Sequence, residues 1–273
     1  MSICNIYNFK LKKQIGKGSF GKIILANHRD TKQIVAIKYI NLKGSDKKSV
    51  ENEINLHKCL IHPNIVSLYN VIDESDINNY MYLIMEFFDA KDLWYHLDSS
   101  LNIWQSTNII KQLTHAVKYC HNNKIMHRDI KLENVLYSPS TNIAKLLDFG
   151  FARTFETPFT PRDYLFCGTI EYQAYEMACL RKYDERVDIW AIGIIYYELI
   201  SHLSPYSANT MIETYENIKT KKLTSDIIPN IFKDEIWIII TGLLDKKIEK
   251  RTTLDDLLKE VNLLIIKIES RYL

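Results

Sequence analysis

The spacing of apolar residues changes about a third of the way along the chain, and this change restricts the fold more than any other feature. The first part contains segments rich in β-branched and aromatic residues, as is typical of strands: 11–15, 22–26, 34–40, 66–72 and 80–86. One segment among them, 47–60, has helical spacing. The remainder has helical spacing in the segments 106–121, 184–201, 211–219, 231–244 and 252–268. A β-rich first third followed by a helical remainder predicts an α+β fold in two lobes.

Composition and charge argue against several classes of protein. The 273 residues are 47% hydrophobic and 25% charged, a balance typical of a globular protein with a sizeable core. Thirty-five basic and 33 acidic residues leave a net charge of +2, which argues against binding nucleic acid or a membrane by bulk charge. The five cysteines form no CxxC pair, so neither a zinc ribbon nor a thioredoxin-like redox site is expected.

The termini and the apolar runs predict an intracellular, cytoplasmic protein. Residues 1–13 lack the long apolar core that follows the basic head of a secretory signal. The longest apolar runs, 190–200 and 237–244, fall short of the roughly 18 residues that a membrane span needs. We also expect a monomer without an appended regulatory domain.

A glycine-rich turn suggests a site for phosphate. Residues 16–23 read GKGSFGKI and contain the pattern GxGxxG. In a dinucleotide-binding fold a helix would begin at the last glycine, but the residues that follow are strand-like. The pattern therefore favours a hairpin in which glycines let backbone N–H groups approach phosphate closely. An ordinary hairpin turn without a ligand is the alternative at this point.

Three further motifs follow in a set order: Val35-Ala36-Ile37-Lys38, then His127-Arg128-Asp129 with Asn134, then Asp148-Phe149-Gly150. With these motifs, the sequence from about residue 9 to about residue 258 resembles the serine/threonine branch of the eukaryotic protein kinase family. The resemblance implies one bilobal kinase domain over 1–273. Its small β-rich N-lobe, with one main helix, would cover about 1–88, and its larger helical C-lobe would cover 89–273.

The resemblance implies that ATP is the phosphoryl donor and assigns residues to bind it. Lys38 would hold the α- and β-phosphates, with Glu53 as its partner and Glu51 as the second choice. Met85 would lie behind the adenine, and the backbones of Glu86 and Phe88 would bond to it. Asp92 would contact the ribose or a basic substrate residue. The remaining expected nucleotide contacts are Ile15, Gly16, Lys17, Gly18, Ser19, Phe20, Gly21, Ile23 and Ala36.

The same resemblance assigns the catalytic and metal-binding residues. Asp129 would orient the acceptor hydroxyl as a base, and Lys131 would neutralise charge on the transferred phosphoryl group. Asn134 and Asp148 would hold Mg²⁺, which favours oxygen ligands and keeps several waters. His127 is expected to be a packed structural residue. Asp188 is expected to support the catalytic loop, which is the segment that contains Asp129 and Asn134, from below.

The acceptor class also follows from the resemblance. Lys131 after Asp129, and the segment Cys167-Gly168-Thr169, are similar to serine/threonine kinases, so the expected partners are proteins with Ser or Thr acceptors. Asp92 and Glu133 together indicate a preference for Arg or Lys shortly before the acceptor. The alternative is that both are ordinary solvated acids.

Two departures from the family pattern stand out. Tyr175 replaces the proline of the Ala-Pro-Glu motif, although Glu176 remains and Arg251 matches its ion-pair partner. Leu165 occupies the position where many relatives carry a phosphorylated Thr. Either another residue near Leu165 is phosphorylated, or packing holds this segment in place without phosphorylation. The candidates for modification are Thr157, Thr160 and Tyr164.

Two other functions compete with an active protein kinase. A pseudokinase that binds nucleotide or partners without catalysis is supported by the altered Ala-Tyr-Glu motif. The intact family residues argue against it: Lys38, Asp129, Asn134 and Asp148. A small-molecule phosphotransferase of related fold is opposed by the segment from Cys167 to Glu176, which forms a peptide-docking platform in relatives.

Overall fold

The computed structural model describes residues 5–18, 21–44, 47–98, 101–155 and 168–272. The chain divides into two compact units, Met1–Asp89 and Ala90–Leu273. The first unit is built on an antiparallel β-sheet and the second is mainly helical. The predicted α+β fold class is therefore confirmed.

The first unit contains five strands in the order β1-β2-β3-β5-β4, and each pairs with its neighbour antiparallel. The strands are β1 (Phe9–Gly18), β2 (Gly21–His28), β3 (Ile34–Asn41), β4 (Leu68–Glu74) and β5 (Tyr80–Glu86). The helices are α1 (Lys47–Lys58) and α2 (Ser75–Asn78).

Side chains that alternate along the strands build two apolar clusters in this unit. On β5, Tyr82 and Ile84 belong to one cluster, whereas Met81 and Leu83 belong to the other. The second cluster also contains Val50 and Ile54 of α1, so this helix packs against the sheet. Neighbouring residues of a strand point to opposite faces, and the sheet is therefore buried on both sides.

The second unit contains five short strands and seven helices within the described residues. The strands are β6 (Lys91–Asp92), β7 (Ile125–Met126), β8 (Val135–Ser138), β9 (Ile143–Leu146) and β10 (Arg153–Thr154). The helices are α3 (Leu93–Leu97), α4 (Ile103–Asn122), α5 (Tyr175–Ala178), α6 (Arg186–Ser201), α7 (Met211–Thr220), α8 (Lys233–Leu243) and α9 (Leu254–Tyr272).

Helix α6 forms the centre of the second unit. Every residue from Val187 to Ile200 is buried, and a helix that is apolar on all sides is covered on all sides. Helices α4 and α8 pack against it. No helix within the described ranges combines the length and the apolar character needed to cross a membrane.

Glu198 is a buried carboxyl group within this central helix. Its Oε2 accepts a hydrogen bond from the Tyr172 hydroxyl at 2.8 Å. The pKa of Glu198 is raised to about 8, with burial as the largest cause and the nearby charges of Glu171 and Glu133 acting in the same direction. The hydrogen bond from Tyr172 opposes these effects but does not outweigh them.

We predict that Glu198 makes the stability of the protein depend on pH. Between the ordinary value of 4.5 and about 8, the folded protein keeps a proton at Glu198 that the unfolded chain has released. The free energy of unfolding therefore falls as the pH rises through this window, by up to about 1.4 kcal/mol per pH unit. Glu198→Gln stays uncharged, so its melting temperature should fall less across the window in calorimetry.

The matched control is Glu249→Gln, which alters an exposed glutamate of the same unit and should keep the wild-type pH dependence. Identical pH profiles for wild type and Glu198→Gln would contradict the prediction.

Candidate active site

Strand β3 and helix α1 bring together the lysine and the glutamate predicted for phosphate binding. Lys38 Nζ lies 2.7 Å from Glu53 Oε1. Both residues are almost fully buried, with 4% and 2% of their surface exposed. Glu51 is exposed on the same helix, so Glu53 is the partner. A buried ion pair leaves the ammonium group in a fixed position.

The glycine-rich segment is a hairpin between β1 and β2. Gly16 faces Ile23 across the hairpin, and Gly18 faces Gly21. A strand rather than a helix follows the last glycine, which agrees with the hairpin interpretation. A Cβ atom at Gly21 would overlap the carbonyl oxygen of Tyr39, so packing within the sheet already requires glycine there.

The other predicted nucleotide contacts of the first unit lie on four strands. Ile15 and Lys17 are exposed on β1, and Ile23 is half-buried on β2. Ala36 of β3 and Met85 of β5 are paired in register, so the sheet places them side by side. Ser19 and Phe20 lie outside the described residues.

The end of β5 carries the residues predicted to bind adenine through their backbones. The Glu86 N–H donates to the Ser67 carbonyl at 2.9 Å, and the Glu86 carboxylate accepts from the Ser67 N–H at 3.2 Å. Because a carbonyl oxygen has two lone pairs, the Glu86 carbonyl can still accept a hydrogen bond from a base. Phe88 follows the strand and is half-buried.

In the second unit, the segment after β7 is anchored to Asp188 at the start of α6. Asp188 Oδ2 accepts from the His127 N–H, and Oδ1 accepts from the Arg128 N–H, each at 2.9 Å. His121 Nε2 also lies 2.9 Å from Oδ2. Burial alone would raise the pKa of Asp188, but its contacts with His121 and His127 together outweigh burial and lower the pKa. Asp188 is therefore an ionised anchor, as expected.

The carboxylate of Asp129 is surrounded by three donors. Asn134 Nδ2 donates to its Oδ2 at 2.9 Å, and Lys131 Nζ lies 3.3 Å from the same atom. The Thr169 N–H donates to Oδ1 at 3.2 Å. Two donors therefore converge on Oδ2 and one on Oδ1, which fixes the orientation of the carboxylate.

Asn134 is oriented by the same contacts. Its Nδ2 also donates to the backbone carbonyl of Asp129 at 2.8 Å. With the amide nitrogen bonded on this side, the side-chain oxygen is directed away from Asp129. That oxygen is the type of ligand that Mg²⁺ prefers.

The hairpin of β8 and β9 brings Asn134 and Asp148 to the same end. Val135 pairs with Leu146, and the Leu147 N–H donates to the Asn134 carbonyl at 3.0 Å. Asp148 has a φ of +64°, an uncommon value for a residue other than glycine and one often found at functional sites. Asn134 and Asp148 together supply an amide oxygen and a carboxylate, a donor set that fits Mg²⁺.

No cluster of three His, Cys, Asp or Glu side chains able to hold a metal ion occurs within the described parts of the chain. Mg²⁺ is often bound by one or two carboxylates together with water and phosphate oxygens.

His127 is packed and structural, as predicted. Its Nε2 lies 3.1 Å from the Leu147 carbonyl, so this nitrogen carries the proton. Its Nδ1 accepts from the Asp129 N–H at 3.3 Å. The ring packs edge-on against Phe149, with centroids 4.9 Å apart. With both nitrogens bonded inside the protein, His127 orients its neighbours.

Asp92 has a structural role that the sequence did not indicate. Its Oδ1 accepts from the Tyr95 N–H at 2.8 Å and caps the short helix α3. Glu133 is exposed. The cap leaves Oδ2 of Asp92 as the oxygen for the predicted ribose or substrate contact.

Arg128 has partners that the sequence analysis missed. Its Nε donates to the Phe151 carbonyl at 2.8 Å, and its Nη1 donates to the Tyr183 hydroxyl at 3.0 Å. Tyr183 is almost fully buried. The sequence offers no local signal for this pair, because the two residues are far apart in the chain. Leu165, Thr157, Thr160 and Tyr164 lie outside the described residues.

The altered Ala-Tyr-Glu motif forms an ordered turn. Tyr175 is the first residue of α5, the helix position that proline tolerates best. Its ring lies 5.4 Å from the guanidinium carbon of Arg181 and 5.6 Å from Lys246 Nζ. Glu176 and Arg251 form the expected ion pair, with two N···O distances of 2.8 Å.

Comparison with known proteins gives two results. The sequence model of the family described as "Protein kinase domain" matches residues 9–262 of this chain. A protein of Dictyostelium discoideum named "Probable serine/threonine-protein kinase MARK-A" is 32% identical over 262 residues. The alignment covers 93% of this chain and 24% of that protein, so the chain spans about a quarter of the length of this curated relative.

Proposed function

Because the chain belongs to the protein kinase family, as its motifs predicted, we propose that it is an active serine/threonine kinase. It would transfer the γ-phosphoryl group of ATP to Ser or Thr hydroxyls of proteins. The observation that carries this proposal is the Asp129 carboxylate, fixed by Asn134, Lys131 and Thr169. Such an arrangement suits a base that must orient a hydroxyl group.

The first unit would supply nucleotide binding. Lys38, fixed by Glu53 at 2.7 Å, would pair with phosphate oxygens, and the hairpin glycines would let backbone N–H groups approach them. Ala36 and Met85, adjacent in register, would offer an apolar surface to the adenine.

Asn134 and Asp148 would hold Mg²⁺. When bound, this ion would neutralise phosphate charge.

The proton of the acceptor hydroxyl would pass to Asp129. Its Oδ2 faces two donors and its Oδ1 faces one. Since each carboxylate oxygen can accept two hydrogen bonds, Oδ1 is the atom that can accept the hydroxyl proton. Lys131 Nζ lies 3.3 Å from Oδ2 and would offset the negative charge of the transferred group.

The acceptor class rests on the contact between Lys131 and Thr169. Lys131 Nζ donates to Thr169 Oγ1 at 2.8 Å, which joins the catalytic loop to the segment that precedes α5. The relative named a serine/threonine-protein kinase supports the same class. The preference for Arg or Lys before the acceptor, the monomeric state and the cytoplasmic location stay predictions.

The first prediction of the proposed function concerns catalysis. Asp129→Asn keeps the shape of the side chain but removes the base, so phosphoryl transfer should fall by about 10²–10⁴-fold. The measurement is transfer from labelled ATP with Mg²⁺ to mixed protein acceptors, followed by phosphoamino-acid analysis. Label on Ser and Thr that disappears in the variant is the expected result.

The matched control is Asp226→Asn, which changes an exposed aspartate of the same unit and should leave transfer unchanged. ATP binding should persist in Asp129→Asn when it is measured by calorimetry. A folded wild-type protein that binds ATP but transfers no phosphate would favour the pseudokinase. Equal activity of Asp129→Asn and wild type would remove Asp129 from the mechanism.

The second prediction concerns regulation. Leu165 cannot be phosphorylated, and Arg128 already donates to Phe151 and Tyr183. We therefore expect activity to survive complete phosphatase treatment. Tyr183→Phe should lower activity, because it removes one acceptor from a nearly buried guanidinium group. The measurement is transfer activity with and without phosphatase, in wild type and variant.

The outcome that contradicts this prediction is loss of activity after phosphatase treatment. It would show that another residue is modified, and mass spectrometry would test Thr157, Thr160 and Tyr164. Tyr82→Phe, at a hydroxyl that Asn78 contacts in the first unit, is the control for loss of a tyrosine hydroxyl elsewhere.

A further inference from the structure

A cluster of hydrogen-bond donors lies in the second unit, outside the candidate active site. Its members are Tyr175 and Cys179 at the two ends of α5, Arg181 just after α5, and Lys246 in the loop that follows α8. The guanidinium carbon of Arg181 lies 5.4 Å from the ring centroid of Tyr175, and Lys246 Nζ lies 5.6 Å from the same centroid. Two positive charges therefore face one tyrosine ring. We call this group the Tyr175 cluster.

Lys246 is a half-buried cation, and no carboxylate among the described residues forms an ion pair with it. Its Nζ donates to the backbone carbonyls of Lys219 at 2.9 Å and Lys221 at 3.4 Å. Burial lowers the pKa of Lys246, and the nearby Cys179 opposes this effect. An anion bound beside Lys246 would stabilise its charged form, because an opposite charge nearby offsets the effect of burial.

The carboxylates next to Tyr175 and Lys246 in the chain are directed elsewhere. Glu176 pairs with Arg251, and Oδ1 of Asp245 accepts from the Lys247 N–H at 2.8 Å. Exposed lysines adjoin the cluster in the chain and add positive charge to this part of the surface: Lys182, Lys222 and Lys247. The net charge of the whole chain is only +2, so positive charge is concentrated here and would attract an anionic partner.

The Tyr175 hydroxyl can serve as a donor to the same anion. It hydrogen-bonds to the Cys179 thiol, which is the largest cause that raises the pKa of Tyr175, whereas the neighbouring Arg181 lowers it. Arg181 also comes within hydrogen-bond range of this hydroxyl. Because sulfur is a weak acceptor, the hydroxyl can exchange the thiol for an oxyanion at little cost.

Among common oxyanions, a phosphate monoester matches the cluster best. It carries a charge of about −1.5 to −2 near pH 7 and three acceptor oxygens. Arg181 and Lys246 supply two positive charges, and the Tyr175 hydroxyl supplies a further donor. A carboxylate has one negative charge and two oxygens, so it would leave one cation without a counter-charge.

A short segment connects the cluster to the candidate active site. The Thr169 N–H donates to Asp129 Oδ1, and Tyr175 is the sixth residue after Thr169. Six residues span at most about 20 Å. A protein segment that presents a hydroxyl group to Asp129 can therefore place a side chain about five or six residues away against the Tyr175 cluster.

We propose that Tyr175, Arg181 and Lys246 bind a phosphate group carried by a phosphorylated protein substrate. The two cations pair with the phosphate dianion, and the hydroxyl donates to one of its oxygens. The proposal rests on the proposed function only in naming the partner as a substrate. Binding of the phosphate group itself needs neither ATP nor phosphoryl transfer.

The first test is binding of a fluorescent alanine peptide with phosphoserine at its centre to the full chain without ATP, measured by anisotropy. We expect saturable binding that weakens as NaCl is added, because salt screens exposed charges. The same peptide with serine should bind more weakly by about tenfold or more. The peptide with glutamate should lie between the two, because it has one charge instead of two.

Three variants address the members of the site. Arg181→Gln and Lys246→Gln each remove one charge and should weaken the phosphoserine peptide by about tenfold but leave the serine peptide unchanged. Tyr175→Pro removes the hydroxyl and the ring at a helix position that tolerates proline, and should also weaken the phosphoserine peptide. The control is Lys259→Gln, at an exposed residue of α9 that pairs with Asp256; it should bind like wild type.

Arg181 is exposed, so Arg181→Gln keeps the test decisive if Lys246→Gln does not fold. Equal binding of the phosphoserine and serine peptides to the wild type would overturn the proposal. Wild-type affinity for the phosphoserine peptide in Arg181→Gln would also overturn it. Phosphate-dependent binding by a protein that transfers phosphate to no acceptor would support the site and contradict only the proposed activity.

The link to substrates is tested by transfer kinetics. Peptides carry a serine acceptor and, five residues before or after it, either phosphoserine or alanine. We expect one phosphorylated peptide to have a KM about tenfold lower than its alanine counterpart, with kcat unchanged, and Arg181→Gln to abolish the difference. Equal KM values for phosphorylated and alanine peptides in the wild type would overturn the assignment of the partner as a substrate.

Discussion

The hydrogen bonds that end on the buried carboxylate of Asp188 are the interaction on which the candidate active site depends. The segment after β7 has little regular structure, so its backbone N–H groups need acceptors from elsewhere. Asp188 accepts from two of them, those of His127 and Arg128. Because α6 is buried almost throughout, its first turn is a fixed point. It supports Arg128 at a φ of +66°, a conformation that is unfavourable without such support.

The geometry around Asp129 follows from this anchor. Once the backbone of the loop is fixed, Asn134 can bond both the carbonyl and the carboxylate of Asp129. The hairpin of β8 and β9 then brings Asp148 towards the same end of the sheet. Asp129 and Asn134 therefore orient each other, and the proposed site would need little reorganisation during phosphoryl transfer.

The sequence predicted the long elements and the motif residues better than the contacts between distant residues. The predicted strand over 80–86 coincides with β5, and α1, α4 and α6 lie close to their predicted segments. The two-residue strands and α3 were missed because they are too short to show a period. The contacts of Tyr183 with Arg128 and of Tyr172 with Glu198 were also missed. Glu198 could have been noticed from the sequence, because it is the one acidic residue in the apolar run 190–200 of α6.

The replacement of proline by Tyr175 shows how tertiary contacts can substitute for a covalent restraint. Proline at the first position of a helix fixes φ and sacrifices an N–H that has no partner in the helix. Without it, α5 still begins at Tyr175, because Ala174 before it is extended and Glu176 after it is held by Arg251. The cations of Arg181 and Lys246 lie over the tyrosine ring. The extended Ala174, the ion pair of Glu176 and the two cations together fix the turn. The altered Ala-Tyr-Glu motif is therefore a weaker reason to interpret this chain as a pseudokinase.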